Sequence, residues 1–223
     1  MRAIAAITLV LVAGSVQGKP AVSFPTPDGG TIHGDVYGTG DRGVVLAHGG
    51  KFTRDGWAKQ AQALAEAGFR ALAIDYRGEG ESRGGPKTRA SDDGLRFDVL
   101  GAVRYLKTTG AKTVSIVGAS MGADAAAEAS IESDPGEIDR IVFLAGGGYA
   151  PSEMIKGRKL FILARDDANA EGPRLLRIQK AYDVARQPKE LVILDGSAHA
   201  QFLFDTDQGD RLMKEILRFL SQP

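Results

Sequence analysis

Cysteine is absent from the 223 residues, and that excludes disulfides, thiol catalysis and cysteine-ligated metal together. Charge of one sign is absent as well. Lys+Arg and Asp+Glu each number 28, so no charge excess points to nucleic acid or an anionic membrane as a partner. Histidine is scarce, at three, and no histidine pair or carboxylate cluster has ligand spacing, so neither a metal nor an organic cofactor is expected. Long apolar runs are missing too. The longest, Ala3 to Ala13, falls short of the ~20 residues a membrane-spanning helix needs, so no stable membrane insertion is expected. Internal repeats, low-complexity tracts and linkers do not occur, and what remains has ordinary globular composition, 43% hydrophobic and 25% charged, enough for one domain with a substantial core.

The N-terminus differs from the rest. Arg2, the apolar run and the small residues Val16 and Gly18 have the three-part pattern of a secretory signal, expected to be removed after Gly18. Residues 1–18 are therefore set apart as a signal peptide and residues 19–223 as a single domain of an exported, periplasmic or secreted protein. Ala21–Phe24 and Ile32–Tyr37 flank the turn-forming Pro27-Asp28-Gly29-Gly30 and read as a hairpin. Six short apolar runs follow, at Val44–Ala47, Ala71–Ile74, Val114–Val117, Ile141–Leu144, Leu160–Leu163 and Leu191–Leu194. They lack polar alternation, as expected of strands covered on both faces. Helical patterns lie between them, at Trp57–Ala67, Asp93–Thr108, Met121–Ser133, Gly172–Ala185 and Asp207–Leu220, and Gly68 and Gly110 stop two of them. Alternating strand and helix predicts an α/β fold with a mostly parallel sheet.

Ligands of open parallel sheets gather beyond the carboxyl ends of the strands, so the residues after each strand carry the information. After Val114–Val117 comes Gly118-Ala119-Ser120-Met121-Gly122, a G-x-S-x-G turn between strand and helix. A turn this tight leaves no room for side chains two before and two after the serine, and it lifts Ser120 into the open as a candidate nucleophile. A serine hydroxyl needs a base. His33 sits in the hairpin and His48 directly follows the first parallel strand, where it is expected to hold its loop. His199 follows the last strand on a short loop and is the best-placed base. The base needs an acid. Asp166 and Asp167 end the penultimate strand, and the spacing favours Asp167. The oxyanion of an acyl-transfer intermediate needs N–H donors. The backbone of Met121 is one candidate; Gly50 and Lys51, in His48-Gly49-Gly50-Lys51-Phe52, are the alternatives for the other.

With these motifs the chain resembles the α/β-hydrolase superfamily across nearly all of its length after the signal. Ile74-Asp75-Tyr76-Arg77-Gly78-Glu79-Gly80-Glu81-Ser82 matches the D-x-R-G-x-G-x-S segment that recurs there and shapes the floor of the site. The resemblance implies an eight-stranded, mostly parallel sheet with helices on both faces. Lys51 departs from the His-Gly-Gly-Gly of lipase-like members. Many members insert a cap where this chain has only Ala145–Lys159, so the site should be shallow and open, as in dienelactone-hydrolase-like and cutinase-like members. The expected function is a serine hydrolase of small carboxylic esters or lactones. The alternatives are an acyltransferase or peptidase with the same residues, and a non-catalytic binding protein on this scaffold. Arg77–Ser91, which also holds Arg83, Lys87 and Arg89, is expected to be a solvated loop of mixed charge. No feature of the sequence bears on oligomeric state.

Overall fold

The computed structural model describes residues 20–85 and 93–223; the expected leader and residues 86–92 of the mixed-charge loop lie outside the described residues. Strand β1 (Ala21–Pro25) and strand β2 (Thr31–Tyr37) form the expected antiparallel hairpin. Then β3 (Arg42–Ala47), a 3-10 turn at Arg54–Trp57, α1 (Ala58–Glu66), β4 (Phe69–Ile74), α2 (Leu95–Thr108), β5 (Thr113–Ala119) and α3 (Met121–Glu132) follow in order. The chain continues through β6 (Arg140–Leu144), a 3-10 turn at Ser152–Met154, β7 (Arg158–Ala164), the two-residue strands β8 (Ala168–Asn169) and β9 (Gly172–Pro173), and α4 (Arg174–Val184). It ends with β10 (Lys189–Leu194), a 3-10 turn at Ala200–Asp205 and α5 (Gly209–Ser221).

Eight strands form one sheet in the order β1-β2-β4-β3-β5-β6-β7-β10, parallel except for β2, which runs antiparallel to both its neighbours. The apolar runs expected as strands all lie in it. Every residue of β6 is buried, as a strand must be when helices cover both faces. Gly68 and Gly110 stop α1 and α2 with φ of 82° and 106°, a conformation glycine adopts without steric cost. The expected helix at Gly172–Ala185 begins instead at Arg174, because Ala168–Asn169 and Gly172–Pro173 pair as a small antiparallel hairpin. Between β6 and β7 the chain has a single three-residue 3-10 turn and no cap. No helix among the described residues is long and apolar enough to cross a membrane.

The chain reverses its course across the sheet at β3, whose neighbours are β4 and β5. Register then places three strand ends side by side. Ala47 lies opposite Gly118, and Ala119 opposite Leu144. Farther along, Ala164 lies opposite Leu194, which brings the loops after β7 and β10 together. The crevice beyond these ends is where ligands of open parallel sheets bind.

Candidate active site

Ser120 stands on the turn between β5 and α3 at φ 51°, ψ −114°, a strained backbone for any residue but glycine, worth ~1–3 kcal/mol. The turn is held from both sides. Ser120 N–H donates to Leu144 O at 2.8 Å, and the Ser120 carbonyl accepts from Ala123 N at 2.9 Å. The two flanking glycines are needed for contact. A methyl on Gly118 would collide with the Gly122 carbonyl, and one on Gly122 would lie 2.7 Å from His48 O and collide with Ala47 O. The turn therefore packs directly onto the end of β3.

His199 follows β10, and its ring bridges two side chains. Nε2 lies 2.7 Å from Ser120 Oγ, and Nδ1 lies 2.7 Å from Asp167 Oδ2. Asp167 is buried, whereas Asp166 beside it is exposed. The structure thus joins Ser120, His199 and Asp167 in one hydrogen-bonded chain and leaves Asp166 outside it. His33, in β2, lies 3.6 Å from Glu81 and takes no part. His48 is fully buried and is committed to its own loop. Its Nδ1–H donates to Gly49 O at 2.9 Å, its ring meets Tyr76 edge-on, and Nε2 lies 2.8 Å from Glu79 Oε2.

The loop after β3 is held firmly. Gly49 O also accepts from Phe52 N at 2.9 Å, and Gly49 N–H donates to the buried Gln201 Oε1 at 2.8 Å. Gly50 and Lys51 are exposed and line the same cleft as Ser120, Met121 and His199. A methyl on Gly50 would stand 3.8 Å from Met121 Sδ. The three candidate oxyanion donors therefore surround one opening.

Two clefts meet at Ser120. One, of about 510 Å³, is walled by Phe52, Phe202 and Met121, with Lys51 and Arg174 as its cations. The rings of Phe52 and Phe202 pack with centroids 4.9 Å apart. The other, of about 420 Å³, is polar and carries Asp93, Asp124, Glu128, Tyr149, Arg174 and Arg177. Burial pushes the Asp124 carboxyl above its ordinary range, although the backbone N–H groups of Gly147, Gly148 and Tyr149 and the Arg177 charge favour its ionised form.

Two residues that the sequence pattern did not single out complete the surroundings. Arg174 is the first residue of α4. The hairpin after β7 turns the chain back so that Arg174 N donates to Asp167 O at 2.9 Å and Nε to Asp167 Oδ1 at 3.2 Å. Gln201 is the second. One signal for Arg174 was legible: a cation in the first turn of a helix opposes the helix dipole, and such a local conflict often marks a functional site. Gln201 carries no local signal.

Arg77 departs from the expectation of a solvated loop, although most of the loop's other described residues are exposed. Its side chain is 8% exposed and bridges Asp28 at 2.7 Å and Asp98 at 2.7 Å. It thereby pins the loop after β4 to the β1–β2 turn and to α2. Ser82 closes that loop, accepting from His33 N at 3.0 Å and donating to Asp75 O at 2.9 Å. His48, Asp75 and Glu79 are the one trio among the described residues whose ligand atoms lie within 4.8 Å of one another. Asp75 there accepts from Arg54 N at 2.8 Å and faces the Arg54 guanidinium at 3.3 Å, so the trio anchors the floor.

The alpha/beta hydrolase fold model matches residues 43–204. The chain belongs to this family. A curated relative, a 2-hydroxy-6-oxononadienedioate/2-hydroxy-6-oxononatrienedioate hydrolase of Burkholderia vietnamiensis, is 30% identical over 168 residues, covering 72% of this chain and 57% of that protein. The chain thus spans little more than half that relative's length. Among solved structures, an esterase of Pyrococcus furiosus aligns at a TM-score of 0.72 with 20% identity, over 91% of this chain and 90% of that one. A dienelactone hydrolase of Anabaena variabilis aligns at 0.70 with 24% identity, over 90% and 94%. The fold is shared with both.

Proposed function

We propose that this member of the α/β-hydrolase family is a serine hydrolase of small, accessible carboxylic esters or lactones. The observation that carries the reading is the hydrogen-bonded chain from Ser120 through His199 to the buried Asp167, with Ser120 on a strained turn at the start of a helix. Ser120 Oγ attacks the carbonyl carbon as His199 Nε2 takes its proton. Asp167 holds the imidazole by Nδ1–H and stabilises the imidazolium that forms. The negative oxygen of the tetrahedral intermediate is received by Met121 N–H together with Gly50 or Lys51 N–H. Collapse expels the alcohol, which takes the proton back from His199. Water then attacks the acyl-enzyme by the same steps, releasing the acid and restoring Ser120.

The open clefts, and the absence of a cap between β6 and β7, favour substrates that need no deep tunnel. The structural neighbours named for ester and dienelactone hydrolysis support the same class. A fluorophosphonate probe tests the reading directly, since it bonds only an activated serine. The native protein should label and Ser120→Ala should not. A series of p-nitrophenyl esters of rising chain length should be hydrolysed best at short lengths, with at least ~10⁴-fold loss in Ser120→Ala. Failure of the native protein to label would overturn the mechanism and favour a binding role for the scaffold.

A further inference from the structure

The two clefts that meet at Ser120 differ in charge. The polar one sets three carboxylates, Asp93, Asp124 and Glu128, beside Arg177, and Arg174 stands on the wall that it shares with the apolar one. The apolar one has none among the described residues, and holds Lys51 and Arg174 against walls of Phe52, Phe202 and Met121. Arg174 spends only part of its guanidinium on the protein. Its Nε donates to Asp167 Oδ1 at 3.2 Å, and its two terminal nitrogens meet no acceptor among the described residues. The Lys51 ammonium likewise has no ion-pair partner among them. Arg174 also sits at the start of α4, where the helix dipole adds to the local positive field. Asp167 cannot neutralise both Arg174 and an imidazolium at His199. A cation retained against a helix dipole, on the wall between an acidic cleft and one without carboxylates, and with outer donors that no described residue satisfies, is suited to a second anion.

We propose, building on the serine-hydrolase reading, that the substrate carries a carboxylate several bonds from the reacting carbonyl, and that Arg174 and Lys51 bind it in the apolar cleft. The spacer rests on Phe52, Phe202 and Met121, and the anion meets the cations at the cleft wall. The class comprises half-esters of dicarboxylic acids, acetate esters of hydroxy acids, and lactones bearing a carboxylate. Arg174 is a specificity residue in this arrangement and also helps to position Asp167.

Matched ester pairs test this. Monomethyl adipate and methyl hexanoate differ only at the far end of the acyl chain; 4-acetoxybutanoate and butyl acetate differ only on the alcohol side. Released acid is followed by pH-stat. In at least one pair the charged ester should be preferred about tenfold or more in kcat/KM, as one charge-assisted hydrogen bond provides, and added salt should erode the preference. Arg174→Gln should bring the ratio of charged to neutral ester close to one, Arg174→Lys should keep part of it, and exposed Lys51→Gln should lower it. The ratio is the readout, because a purely structural loss at Arg174 would lower both esters alike. Binding of the same esters to Ser120→Ala, measured by calorimetry, gives the preference without turnover. Neutral esters hydrolysed as well as charged ones, with equal binding to Ser120→Ala, would overturn the carboxylate site and leave the serine mechanism standing. Loss of labelling by the fluorophosphonate probe would instead remove the mechanism itself.

Discussion

Replacing Gln201 by Met tests whether one buried side chain sets the loop proposed to hold the oxyanion. Gln201 is 3% exposed and its Oε1 is the acceptor for Gly49 N–H at 2.8 Å. Methionine keeps the length and most of the volume but offers no acceptor of comparable strength. Gly49 is buried, so its N–H would be left without a partner, at a cost of ~1–3 kcal/mol. Each kcal/mol lowers Tm by ~2–4 °C in a domain of this size. The kinetic effect should be larger in proportion. Gly49 directly precedes Gly50 and Lys51, and Gln201 lies two residues beyond His199, so the lost bond loosens the donor loop from the base loop. Removing an oxyanion donor outright costs ~10²–10³ in kcat, and a displaced donor should cost ~10–100-fold. The loss should fall on kcat with KM nearly unchanged, since the donor acts on charge that exists only in the transition state. Urea unfolding and steady-state hydrolysis of one neutral ester measure both quantities on the same preparation. A variant with lowered stability but kcat within twofold of the native value would refute the coupling.

The remaining predictions concern the acid, the turn and the charge network. Asp167→Asn should lower kcat by ~10⁴-fold, as loss of the carboxylate does in a Ser-His-Asp site, while exposed Asp166→Asn should change it by less than threefold; the reverse result in the same ester assay would move the acid by one residue. Gly122→Ala drives a methyl against Ala47 and His48 carbonyls, the latter at 2.7 Å, so urea midpoints should report ~1–3 kcal/mol of overpacking together with loss of probe labelling. Burial raises the Asp28 carboxyl, but its hydrogen bonds to Arg77 and Thr26 outweigh that and hold it below 3.8. Because the folded value is the lower one, its contribution to stability is full well above the ordinary carboxylate range and disappears as pH falls through the folded value. Asp28→Asn should therefore be less stable near neutrality and show a flatter stability profile at the acid end; an unchanged profile would place the acid sensitivity elsewhere.

What the sequence determined by itself was local. Four buried residues before Gly118 make a strand, and glycines at 118 and 122 are required by the turn between them. Glycines at 68 and 110 end helices because their backbones must turn left-handed. The order of Ser120, Asp167 and His199 along the chain, each directly after a strand, could be read once the strands were known to be parallel. The strand, the turn and the helix stops are set by residues within a few positions of one another, and Ser120, Asp167 and His199 are each marked by the strand just before them, so these patterns show in the letters. Only the tertiary structure decided the rest. Gln201 reaches Gly49 across 152 positions. Arg174 returns to Asp167 only because a six-residue hairpin folds back. Arg77, in a segment whose composition reads as solvated, has a buried side chain because Asp28 and Asp98 arrive from two other elements. Such partners meet through the register of the sheet and the packing of its loops. A side chain's identity states what it can bond, but only the assembled fold brings the partner to it.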